Sequence, residues 1–172
     1  MKKTWCMAAA LVLLAAAVPA AGWGAQGAEE GTTYTVEEML EFAVQDEYRM
    51  QRLYGVLQPD NYWARSPHMD MLAVLCARYG VDVPADNPDA YELPQASDSA
   101  ESVLQAIEDA QAESVGMYSR FLAEDLPADV RDVFWRLRSS GERQLAALQR
   151  GGYGYGPAAG GGYYGRGRDF GA

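Results

Sequence analysis

The sequence predicts an all-α fold, a four-helix bundle with one long connection between its second and third helices. Three observations predict it. Four segments carry apolar residues at alternating steps of three and four, the spacing of a helix packed in a bundle. A stretch holding Pro84, Pro88 and Pro94 separates the second segment from the third, and prolines at that density interrupt helix and sheet alike. No segment sustains the strict alternation of a half-buried strand.

Residues 1–28 read as a secretory signal. Lys2 and Lys3 form a positive start, and Ala8 to Val18 is an apolar run too short to span a bilayer. Small residues follow, and either Val18-Pro19-Ala20 or Ala20-Ala21-Gly22 can end at a cleavage point. Cys6 precedes the apolar run, so it is not the acylated cysteine of a lipoprotein. The expected destination is the periplasm or the exterior, with no transmembrane segment in the mature chain.

The first helix is expected from Val36 to Leu57. Thr35 and Glu38 make a capping box, and Gly55 and Pro59 mark the end. Its stripe is Val36, Leu40, Ala43, Glu47, Met50, Tyr54 and Leu57. Asp60 to Arg65 is a connection. Ser66 then caps a second helix with Pro67 at its first position and Gly80 at its end. His68, Leu72, Leu75 and Tyr79 share one face of it. Residues 81–95 form the crossover. The third helix starts near Asp98 or Ser99 and carries Val103, Ile107, Ala110, Ser114, Met117 and Phe121. A turn at Leu126-Pro127 leads to the fourth, Ala128 to Arg150, with Val130, Val133, Phe134, Leu137, Leu145 and Leu148 on its apolar face. Gly141 interrupts that helix and is expected to bend it. Residues 151–172 are rich in glycine and tyrosine, cannot bury a core, and read as a disordered tail.

The charge narrows the partners. Lys2 and Lys3 are the only lysines, so removal of the signal leaves 12 arginines against 24 acidic residues, a net charge of −12. Such a surface repels nucleic acid and anionic lipid. Only Cys76 remains after cleavage. It sits in an apolar run and reads as an inert core thiol.

Glu47 carries the most information, because a carboxylate on an apolar stripe has to be hydrogen-bonded, paired, protonated or bound to metal. The plainest partner is an arginine such as Arg143. Asp46 and Glu41 lie off the stripe and are expected to be solvated. His68 is the only histidine. A carboxylate on one helix and an imidazole on the next are the parts from which bundle metal sites are built. Glu108, Gln111 and Glu113 on the third helix, and Glu142 and Gln144 on the fourth, are the other polar groups in reach. No phosphate loop and no nucleophile constellation is present.

These segments resemble a bacterial ferritin-like family of unknown function. The residues that carry the resemblance are Gln45-Asp46-Glu47-Tyr48, then His68-Met69-Asp70-Met71-Leu72 leading to Arg78-Tyr79-Gly80-Val81 and Val83-Pro84. They continue in Met117-Tyr118 with Phe121-Leu122, and in Leu137-Arg138-Ser139-Ser140 leading to Leu145-Ala146-Ala147-Leu148. The resemblance spans residues 33–150, taken as the ferritin-like domain, and implies a di-iron site built from glutamates and Glu-x-x-His motifs. On its pattern, Glu47 falls on the first-helix glutamate and His68 on the second-helix histidine. Arg65 stands three before His68 where an acid is expected. The third-helix glutamate falls on Gln111, with Glu113 two residues on, and the fourth-helix histidine on Gln144. The expected metal ligands are therefore Glu47, His68 and Glu113, a degenerate set. The expected function is an exported, non-catalytic scaffold or binding protein with no resident cofactor. One alternative is weak binding of iron or another divalent metal, with residual oxidase activity; a mononuclear version uses Glu47, His68 and Glu113 or Glu108. Another is an extracellular interaction protein that acts through the Gly/Tyr tail. Cell-envelope components, other proteins and a second copy of the chain are the partner classes left open.

Overall fold

The computed structural model describes residues 23–57, 66–95 and 98–150. Most of the expected signal, the 60–65 connection and the 151–172 tail lie outside the described residues. Within them the chain is all-helical, with four α-helices, two 3-10 turns and no strand. The helices are α1 (Val36–Leu57), α2 (Pro67–Tyr79), α3 (Ala100–Phe121) and α4 (Ala128–Gln149). None is long and apolar enough to cross a membrane.

Local signals place the helix ends. At the start of α1 the Thr35 amide donates to Glu38 Oε2 at 2.7 Å, and the Glu38 amide returns to Thr35 Oγ1 at 3.2 Å. This is the capping box read from the sequence. Gly55 lies inside α1 rather than past its end. Ser66 Oγ accepts from the His68 amide at 3.2 Å, and Ser99 Oγ from the Ser102 amide at 3.1 Å. α2 stops at Gly80, whose φ of 71° is the left-handed conformation that closes a helix. α4 lacks a side-chain cap, but Asp129 stands in its first turn, where a carboxylate opposes the helix dipole. Asp129 also accepts from Arg78 Nη1 at 2.5 Å and from the Tyr79 hydroxyl at 2.9 Å. The last turn of α2 is thereby tied to the first turn of α4.

Neighbouring helices run α1, α2, α4, α3 and back to α1. The second and third helices therefore occupy opposite corners, which is why their connection is long. Residues 81–95 make it, irregular except for a 3-10 turn at Pro88–Ala90. Arg52 on α1 grips Asp86 of this crossover, and the Tyr91 hydroxyl donates to the same carboxylate.

The core has two apolar clusters. The larger includes Leu40, Ala43 and Val44 of α1, Leu72, Leu75 and Cys76 of α2, Met117, Tyr118 and Phe121 of α3, and Val130, Phe134 and Leu137 of α4. The smaller holds Met50, Leu53, Val103, Ile107 and Ala110. Cys76 is fully buried, in keeping with a core thiol.

Residues 23–28 belong to the folded body, although the sequence reading ran the signal through Ala28. Trp23, Ala25 and Ala28 are buried, and a 3-10 turn at Gly24–Gln26 lies on α1 and α3. Gly24 has φ of 61°, and a Cβ there would stand 2.8 Å from the Asp46 backbone. Only glycine meets both conditions. The Trp23 ring meets Tyr91 edge-on at 6.1 Å, and Arg120 Nη2 donates to the Ala28 carbonyl at 2.7 Å. A chain beginning at Glu29 is expected to lose on the order of 3–4 kcal/mol of stability relative to one beginning at Trp23, from the lost burial of the indole and two methyl groups. Denaturant unfolding of the two chains measures it, and equal midpoints would show that this hook contributes nothing.

Candidate functional site

Five buried polar or charged side chains, Asp46, Glu47, Arg49, Gln111 and Ser114, lie on α1 and α3. In sequence they fall between residues of the two apolar clusters: Val44 and Met50 bracket those on α1, and Ala110 and Met117 those on α3. They form a polar layer across the middle of the bundle. A cavity of about 320 Å³ opens on this layer. α1 lines it with Glu47, Met50 and Tyr54, α2 with His68, α3 with Gln111, Ser114 and Tyr118, and α4 with Leu137, Gly141 and Gln144.

Glu47 and His68 come together as the sequence suggested. His68 Nδ1 lies 3.1 Å from Glu47 Oε1. The Glu47 hydrogen bond holds the imidazole above its ordinary pKa of 6.5, against the effects of burial and of the Arg143 charge. Arg143 is thus a neighbour of the pair and not, as the sequence suggested, the partner of Glu47.

Glu113 does not join them. It is 43 % exposed, and its Oε2 lies 2.5 Å from Arg49 Nη2. On α3 the inward positions are 111 and 114, so residue 113 points along the flank toward α1. Glu108 is also absent from the cavity wall.

Asp46 corrects the sequence reading most. It is 1 % exposed, not solvated. The hook covers it: the Ala25 amide donates to Oδ1 at 3.2 Å, Arg49 Nη1 stands 3.8 Å away, and Ser114 is a further hydrogen-bond partner. Burial outweighs these partners and raises its pKa to about 6.

Two more features escape a sequence reading. Gly141 is where α4 meets Gln111, since a Cβ there would stand 2.7 Å from Gln111 Nε2. The glycine makes room for an amide whose Oε1 accepts from the Tyr54 hydroxyl at 3.3 Å. Tyr118 is 2 % exposed, and its hydroxyl is buried without a hydrogen-bond partner among the described residues. Burial, with Glu47 and Asp46 nearby, keeps that hydroxyl protonated far above neutral pH.

The charged donors in the cavity wall are therefore one carboxylate and one imidazole, and Gln111 and Gln144 present neutral amides. Among the described residues no three of His, Cys, Asp and Glu converge as a metal site does. This donor set does not fit two divalent cations, whose charge has to be met by several hard anionic ligands. A scan against protein-family models and searches of curated proteins and of solved structures return no match to this chain.

Two titrations follow. His68 is the only histidine, so its ring proton resonances give a single pH curve. The midpoint is expected above 6.5, and Glu47→Gln should lower it. Because the folded pKa is raised, the pair stabilises fully below the unfolded value and the contribution fades as pH rises through the folded one. The stability gap between wild type and Glu47→Gln should therefore be wider at pH 5.5 than at pH 8. An unmoved midpoint would separate the two side chains in solution. Asp46 runs the other way in effect: its buried charge costs nothing below its unfolded pKa of 3.8 and costs fully above about 6. Asp46→Asn should match wild type near pH 4 and exceed it at pH 7.5 by on the order of 2–3 kcal/mol. Chemical denaturation at the two pH values tests this, and a variant weaker at pH 7.5 contradicts it.

Proposed function

We propose that this chain is an exported, ferritin-like helical bundle that has given up di-metal chemistry and serves as a binding protein. One observation carries the reading. The positions that the sequence resemblance assigns to the metal-bearing face of the four helices, Glu47, His68, Gln111 and Gln144, all line one cavity. Chance placement on four separate helices does not favour that convergence. The opposite corners held by α2 and α3, joined by a long crossover, also suit a ferritin-like connection.

The binding role rests on what replaced the ligands. An amide has no charge to offset a bound cation, and the Glu47 carboxylate is already engaged by His68. Cleavage ahead of Trp23, at either of the two sites read from the sequence, would keep the hook, whereas a cut at Ala28 would strip a buried indole and the amide that meets Asp46.

Iron loading under reducing conditions, followed by desalting and metal analysis, tests the reading. Fewer than about one iron per chain should remain, since affinity follows the number of charged ligands. Two irons per chain that persist through desalting, and vanish in Glu47→Gln, would restore the oxidase alternative.

A further inference from the structure

The outer face of α4 has an unusual composition. Val130, Phe134, Leu137 and Gly141 turn the other side of that helix into the core. At about 100° per residue, Trp135, Ser139, Glu142, Arg143, Ala146 and Arg150 gather on the side opposite them, and together they line one groove. Trp135 is 55 % exposed, the one aromatic among the large apolar side chains left exposed in the described residues. Arg143 and Arg150 form no ion pair among the described residues. Glu142 meets Arg138 of its own helix at 3.3 Å, yet its side chain stays 51 % exposed.

The order of these residues is self-complementary. When two copies of one helix lie antiparallel across a two-fold axis, facing positions have a constant sum and each contact occurs twice. An axis midway between residues 142 and 143 sets Trp135 against Arg150 of the second copy, Ser139 against Ala146 and Glu142 against Arg143. Each indole then meets a guanidinium. The small side chains of Ser139 and Ala146 let the helix axes approach to about 8–10 Å. At the centre a carboxylate meets an arginine twice. Charge favours this face over others for such a contact. The chain has 24 acidic residues against 14 basic ones, so two copies repel across most of their surfaces. The strip, with two arginines to one glutamate, is not part of that acidic field.

We propose that the outer face of α4 is a homodimer interface, in which two copies pair antiparallel through Trp135–Arg150 and Glu142–Arg143 contacts. From Trp135 to Arg150 the strip runs about 22 Å along the helix. One helix pair of that length is small beside a standard interface of about 1,600 Å², so the dimer is reversible and depends on concentration. The inference is independent of what occupies the mid-bundle cavity.

Sedimentation equilibrium of the purified protein from about 10 µM to about 1 mM, the range a small interface calls for, tests it. A monomer–dimer equilibrium is expected. Trp135→Ala should weaken it about tenfold or more, as loss of an interface indole does. Glu142→Arg and Arg143→Glu should each leave a monomer, because each sets like charges together at the centre. An equimolar mixture of those two variants should dimerise again, since each copy offers the charge the other lacks. The double variant Glu142→Arg/Arg143→Glu should dimerise on its own, with the pair reversed. All three positions are exposed, so every variant should melt close to wild type. A chain that stays monomeric across the range overturns the proposal. So does a dimer that Trp135→Ala and the single charge variants leave untouched, which would put the contact on another face. Failure of both the mixture and the double variant to recover the dimer overturns the antiparallel pairing as well.

Discussion

A carboxylate in the middle of a helical core has to be met by donors, and two adjacent ones on α1 organise much of this molecule. Glu47 draws the first turn of α2 onto α1 through His68. Asp46, one residue away and turned toward α3, is met by Ser114, by Arg49 and by the amide of Ala25. These partners come from α2, α3, α1 itself and the hook. The low dielectric of the interior makes each of them obligatory, because an unmatched charge there is far more expensive than a lost apolar contact. The two hydrophobic clusters are uninterrupted on either side, so the polar layer is the place where the bundle gives up apolar packing for something else.

The same layer explains how the fold and the site relate. Apolar packing alone would close the bundle at positions 47, 111 and 144, and the chain places a charged group and two amides there instead. Room is kept for them: Gly141 withdraws its side chain from Gln111. The helices around the cavity are tied together elsewhere, at Asp129 and at Asp86.

Local signals made the helices legible. The capping box at Thr35 and Glu38, the cap at Ser66, the stop at Gly80 and the stripe from Val103 to Phe121 are all short-range patterns, and each stands where it was read. Glu47 and His68 were legible for the same reason, as polar residues on apolar faces. Asp46 was not. On the stripe of its own helix it falls outward, and the segment that buries it lies 21 residues upstream. Residues 23–28 merge with the small and apolar residues that end a signal, so composition gave no boundary there, and the loss of the hook also lost the reason for Asp46. Glu113 fell one position from an inward face, an error of about 100° on a helix. The bare hydroxyl of Tyr118 has no trace in sequence, since it depends on what four separate helices fail to supply.

The hook also sets an order on folding. Trp23 packs on Tyr91, and the Ala28 carbonyl is reached by Arg120, 92 residues downstream. The first part of the folded body to be synthesised thus completes its contacts only when the crossover and α3 are in place. Until α3 has formed, Asp46 lacks Ser114 as a partner. Contacts so distant along the chain form late, after the local helices have paid their entropy. Completion of the bundle is therefore registered at its own beginning, where a buried indole reports that the crossover and the third helix are in place.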